Sequence, residues 1–281
     1  PMFFLISGYL AGTGKKITNL EQYRKKIGRR AVAYLLPFFS WLVVQHMTYV
    51  PQALRTVLFQ LDYGLWFLMA LFLFTVLCYT AQLLEAVTEK EIVFWAVWLT
   101  GCCVILVSYL AGVTFLSPSI LIIYLPYYTV AYFVGRHREF VETYAPTSMQ
   151  RWIAGLCAVV FLVMIVMLDL VTVTGIGMLG VQTAASFLGW KTCELKRKLS
   201  KLGTYTLEIY VIHYQFATVL NPDKTAYAFW SVEGLLYAAA AFVAMSVITG
   251  ALIYIIDCVK PLRFLLFGKS EKRSGMENRS T

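Results

Sequence analysis

Leu65 to Leu84 reads LWFLMALFLFTVLCYTAQLL, a run without one Asp, Glu, Lys or Arg. Coiled as an α-helix at about 1.5 Å per residue, it reaches about 30 Å, the thickness of a bilayer's hydrocarbon core. A rod oily on every face is buried in a large core or spans a membrane. Residues 64–84 are therefore expected to cross a bilayer. Seven further runs read the same way: 31–50, 92–112, 119–135, 152–170, 172–190, 203–221 and 231–256. The 119–135 run is near the lower limit for a crossing, and a tight turn near Asp169 to Thr174 must separate the spans on either side of it. Met2 to Gly12 is apolar but too short to cross. Because the chain opens on Pro1 with no initiator methionine, it is expected to begin inside a further membrane helix.

Composition agrees. Of 281 residues, 59% are hydrophobic, 16% aromatic and 14% charged, whereas soluble domains hold about 45–50% apolar and about 25% charged residues. These fractions exclude a soluble domain, a disordered chain, a disulfide-stapled secreted module and a fibrous repeat. The net charge of +9 would suggest nucleic acid in a soluble protein. In a membrane protein it reports topology, because Lys and Arg stay on the cytoplasmic side. With the Gly12–Arg30 stretch placed inside and the spans alternating, every basic residue except Arg55 and Lys224 falls in the cytoplasm. The expected fold is all-α: a polytopic helix bundle of eight complete spans plus a partial first one. Its C-terminus is expected to be cytoplasmic, with one membrane domain over 1–268 and a disordered tail over 269–281.

Chemistry-bearing residues are few. The six cysteines form no CxxC pair, and adjacent Cys102 and Cys103 point about 100° apart on a helix. Neither a metal site nor redox chemistry is expected. Arg24-Lys25-Lys26-Ile27-Gly28-Arg29-Arg30 reads either as a topology signal resting on anionic headgroups or as a dock for a phosphorylated ligand, whose oxygens suit arginine's fork. Gly12-Thr13-Gly14-Lys15 is no phosphate loop, since Lys16 stands where Ser or Thr is required. His213 lies about 15 Å into its helix, near mid-bilayer, where an ionisable residue is a functional candidate and also a possible interhelical tie. Thr206, Tyr210 and His213 share one stripe; Thr204, Glu208 and Gln215 share another. That helix belongs inside the bundle. His46 and His137 read as interface and solvent residues, and Trp66 as an aromatic-belt residue. These features do not choose a reaction.

Four segments, in order, carry a resemblance. Phe3-Phe4-Leu5-Ile6-Ser7-Gly8-Tyr9-Leu10 is similar to the "FFxISGFL" of the membrane-bound acyltransferase 3 family. Arg29-Arg30 with Leu35-Leu36-Pro37-Phe38-Phe39-Ser40-Trp41 resembles its basic cluster leading into "LLIPYFFW". Leu65-Trp66-Phe67-Leu68 with Ala70-Leu71-Phe72 resembles its "LWFLxALF", and Leu202 to Thr206 with Ile209, Tyr210 and His213 its "LGxYSLxIYLxH". The resemblance implies about ten helices and transfer of an acyl group, commonly acetyl, from acyl-CoA to a hydroxyl of a cell-surface or lipid-linked sugar. Acetyl-CoA is then a co-substrate, with no bound cofactor, no metal and no nucleic acid. The family's principal histidine would lie ahead of Pro1. In this chain His213 with supporting Tyr210 would serve catalysis, Lys26, Arg29 and Arg30 the CoA phosphates, and Trp66 and Glu208 the acceptor. Val32 departs from the basic residues often found at that point. A transporter or flippase of a lipid-linked sugar and a non-catalytic membrane scaffold are the alternatives.

Overall fold

A backbone crossing lipid finds no water to bond, so each segment must close its hydrogen bonds internally. Helices do this within one segment, and no strand occurs among the described residues. The computed structural model describes residues 2–45, 49–61, 65–144, 149, 152, 205–217 and 231–269. Five of its helices are long and apolar enough to cross a membrane: α2 (Leu20–Gln45), α4 (Trp66–Thr88), α5 (Glu91–Leu110), α6 (Pro118–Arg136) and α9 (Val232–Cys258). These occupy the expected runs at 31–50, 64–84, 92–112, 119–135 and 231–256. The run at 203–221 is described over a shorter stretch, as α8 (Thr206–Ala217). Those at 152–170 and 172–190, His46 and the tail from 270 lie outside the described residues.

Three differences from the expected layout have local causes. The Arg24–Arg30 stretch is not a loop abutting a span but lies within the first three turns of α2. Asn19 Oδ1 accepts the Gln22 N–H at 2.9 Å while the Gln22 side chain accepts the Thr18 N–H at 3.3 Å, so Asn19-x-x-Gln22 caps the helix reciprocally. Secondly, short helices flank the spans: α3 (Val50–Phe59), with Ala53 and Val57 buried and Arg55 exposed, α7 (Arg138–Tyr144) and α10 (Lys260–Phe267). Thirdly, Lys269, expected at the start of the tail, belongs to the described structure. It follows Gly268, whose positive φ of 64° ends α10, and packs on α8.

The core forms around α4. Of its most apolar window 61% is buried, against 11% for α5, so α4 is the central post and α5 belongs to the lipid-facing wall. Leu68, Ala70, Phe74, Cys78 and Ala81 line the buried post. The outer faces stay apolar, with Ile92, Leu99 and Val107 of α5 and Phe242, Val243 and Val247 of α9 exposed, as lipid requires. Aromatic rings fill the interior. Phe4 packs on Phe67, Phe74 and Tyr124, while Phe94 stacks on Tyr132 at 5.1 Å and Trp98 on Tyr128 at 5.9 Å. A second, smaller core joins Ile212 of α8, Ile256 of α9 and Phe267 of α10, with Trp41 of α2 against it.

The tightest pairing is α1 (Met2–Thr13) on α6. Gly8 and Gly12 lie four residues apart and face the backbone at Tyr128 and Tyr132, while Gly135 faces the Tyr9 carbonyl. A Cβ at any of these three glycines would collide with backbone that cannot swing aside. Small residues at this spacing let helices approach where lipid supplies no hydrophobic drive. Gly28 and Gly250 meet nothing within 4 Å, and serve as controls. Gly8→Val or Gly12→Val is expected to cost about 1–3 kcal/mol by overpacking, read as a lowered unfolding temperature in detergent. Gly28→Ala is expected to hold or slightly raise it.

Candidate functional site

The C-termini of α1, α4 and α6 and the N-termini of α2 and α5 meet at one end of the bundle, held by charge. Arg136 closes α6, and its guanidinium grips Glu85 of α4 with both terminal nitrogens, Nη1–Oε2 at 2.9 Å and Nη2–Oε1 at 2.7 Å. The same group reaches Glu91 at the start of α5 (3.0 Å) and lies 4.6 Å over the Phe94 ring. Lys16 adds a 3.2 Å pair to Glu85, and His137 stands 3.6 Å from Glu91. The Arg136 side chain is only 4% exposed. Beside it, Gln82 donates to the Tyr132 hydroxyl (3.2 Å) and accepts the Ile17 N–H (3.3 Å), which fastens the α1–α2 connection to α4. The sequence reading missed this knot and left His137 to solvent. Its signals were a lone Glu85 near the end of one apolar run and an Arg136 ending another.

The cations of α2 fall into two sets. Lys26 and Arg30, one turn apart, lie on the stripe that includes Tyr23, whose hydroxyl bonds Thr80 of α4 at 3.1 Å. The Lys26 ammonium bonds the Lys15 carbonyl and stands 5.6 Å from the Tyr79 ring centre. Arg30 donates to the Tyr34 hydroxyl at 2.9 Å and covers that ring at 5.7 Å. Arginine and lysine over aromatic faces keep their charge while some of their water is removed. Arg24, Lys25 and Arg29 are exposed, as Arg30 is, but unlike it make no ion pair or side-chain hydrogen bond among the described residues. Arg29 points about 100° away from Arg30. Of the three expected ligand cations, Lys26 and Arg30 are thus brought together and Arg29 is turned away from them.

On α8, Tyr210 packs against Phe67 at 5.0 Å and Phe3 at 6.1 Å. Trp66, at the start of α4, lies 4.8 Å from Tyr124 and 6.1 Å from Phe4. Tyr210 and Trp66 therefore border one aromatic cluster built on Phe3, Phe4 and Phe67. Glu208 is fully buried, its carboxylate against the ammonium of Lys269. Gly268 sits on the backbone of Val32 and Ala33, one turn beyond Arg29 and Arg30. His213 follows Ile212 on α8; its side chain lies outside the described structure. A separate groove of about 590 Å³ between α4, α5 and α6 is lined by Leu73, Phe74, Leu77, Val97, Gly101 and Leu121 among others. It holds none of the candidate residues. Among the described residues no cluster of His, Cys, Asp or Glu could hold a metal ion.

Residues 1–255 match the model of an acyltransferase domain, that of the acyltransferase 3 family. No curated protein and no solved structure matches the chain.

Removing one partner of a buried pair strands a charge, whereas removing both leaves none. Arg136→Met is therefore expected to destabilise the protein by about 3 kcal/mol. Arg136→Met combined with Glu85→Gln should recover some of that loss. Unfolding temperatures of the two variants in the same detergent check this.

Proposed function

The chain belongs to the acyltransferase 3 family of multi-pass membrane proteins, and from that premise we propose that it moves an acyl group, acetyl above all, from acyl-CoA to a hydroxyl of a cell-surface or lipid-linked sugar. The observation that carries the reading is the paired placement of Lys26 and Arg30 on the α2 face turned toward α4. Coenzyme A is a polyanion made in the cytoplasm, so the basic end is assigned to the cytoplasmic side of a bacterial inner membrane. Arg30 offers a planar fork to phosphate oxygens and Lys26 a point charge. Arg29, about 100° around α2 from Arg30, draws the ligand in from the rim without gripping it.

A thioester is already activated, so the protein's work is to align donor and acceptor and manage one proton. The acceptor hydroxyl oxygen attacks the thioester carbonyl carbon, and its proton passes to a base. The tetrahedral centre then collapses, the C–S bond breaks, and the departing CoA thiolate takes up the proton. We assign the base role to His213, whose ordinary pKa near 6.5 suits it, with Tyr210 and Trp66 shaping the acceptor end through the aromatic cluster they border. The charge-bearing α2 face and α8 then supply the two halves of the reaction from elements far apart in sequence.

Membranes containing the full-length protein are expected to transfer label from radiolabelled acetyl-CoA to a glycan acceptor. No label on any glycan, with the protein folded and present, overturns the reading. Charge-assisted hydrogen bonds contribute about 1.5–3 kcal/mol each, so Lys26→Gln with Arg30→Gln should raise KM for acetyl-CoA about tenfold or more. Arg29→Gln is expected to shift KM by less than about threefold, and less still at high salt, where exposed charges are screened. Equal effects of Arg29 and Arg30 reject the two-set division of the cations.

A further inference from the structure

We propose that residues 260–269 form a strap that holds α8 in the register its chemistry requires, with Glu208 and Lys269 as positioning residues; the proposal rests on the acyl-transfer reading of α8. The segment lies beyond residue 255, where the family match ends. Three independent contacts define it. The Trp41 indole N–H donates to the Leu266 carbonyl at 3.0 Å, fixing α10 to α2. Phe267 is 1% exposed and packs with Ile212, the residue before His213, and with Ile256. Lys269, held by Gly268 on the Val32–Ala33 backbone, meets the fully buried Glu208 carboxylate and lies 4.9 Å from the Tyr205 ring centre.

The physics of the pair makes it a register device. A carboxylate taken fully out of water is costly unless a counter-charge meets it. Glu208 sits two residues before Tyr210 and five before His213. Any slide or rotation of α8 that pulls Glu208 from Lys269 strands a buried charge. The backbone before Lys269 is anchored, because Gly268 is pressed against the α2 backbone at a point where a Cβ would collide, so the ammonium follows only within the reach of its flexible stem. The strap therefore ties the helix bearing Tyr210 and His213 to the helix bearing Lys26 and Arg30. Donor and base are kept at a fixed offset by a residue that touches neither.

The test uses the full-length protein in membranes, with acetyl-CoA as donor, and reads kcat, KM and the unfolding temperature in detergent. A misplacement of about 1 Å can cost about a hundredfold in rate. Lys269→Ala is thus expected to lower kcat about tenfold or more, with KM for acetyl-CoA within about twofold of wild type. Lys269→Arg, and the exchange of Glu208→Lys with Lys269→Glu, should restore most of it. Should Lys269→Ala fail to fold, Glu208→Gln with Lys269→Leu leaves no buried charge. That variant is expected to fold and to show the same loss of kcat. Unchanged kcat per folded molecule overturns the proposal, and so does a rise in KM that accounts for the whole effect. If the wild type itself transfers no acyl group, the acyl-transfer reading fails. The strap is then judged by unfolding temperature alone: recovery in the charge-exchanged variant supports it, and additive losses reject it.

Discussion

Lipid is as apolar as leucine, so helices in a bilayer gain little from hiding oily surface against one another. Close contact and a few buried charges must hold them instead. In this chain the contact that orders the rest is α1 on α6. Gly8, Gly12 and Gly135 let the two backbones approach to a separation no side chain would allow. That approach brings the end of α1 beside Arg136, and the α1–α2 connection follows through Lys16 on Glu85 and Ile17 on Gln82. With the connection fastened, α2 starts at Leu20 and lays Tyr23, Lys26 and Arg30 toward α4. The orientation of Lys26 and Arg30 is thus a downstream result of three glycines in other helices.

The charges divide by task. Arg136, nearly buried, is neutralised by Glu85 and by the half-exposed Glu91, and these charges are spent on structure. Lys26 and Arg30 lie over tyrosine rings, with no carboxylate partner among the described residues. Arg24, Lys25 and Arg29 remain in solvent or headgroups. A run of like charges that reads as one block therefore does more than one kind of work, sorted by a period of 3.6 residues and by which neighbour each stripe meets.

Much of the fold was legible in the residues because lipid imposes a single local rule. A helix rising 1.5 Å per residue through about 30 Å of hydrocarbon needs about 20 apolar residues, and runs such as Leu65–Leu84 meet that count with no knowledge of tertiary structure. The start of α2 went unread, although Asn19-x-x-Gln22 marks it, because the cluster of cations that follows reads more readily as a loop. What stayed hidden depends on distant partners. Nothing near Glu85 reveals that Arg136, some fifty residues on, will grip it with two nitrogens. Nothing near Glu208 points to Lys269, whose polar surroundings read as tail. Arg29 and Arg30 are chemically alike and adjacent, and only the direction of α4 distinguishes them. Hydropathy and charge located α8 and the basic stretch and the resemblance to the acyltransferase family attached a chemistry to them, while for α10 no motif was available.

The glycine seam also has a history written into the order of synthesis. Its first half leaves the ribosome with α1, and its second half arrives only with α6, more than a hundred residues later. At about 5–20 residues per second the newborn α1 waits about ten seconds in the bilayer with its narrow groove unfilled. During that interval the nascent chain exposes the surface best able to accept a foreign helix with a small-residue face, and fidelity of assembly rests on how well the insertion machinery shields it.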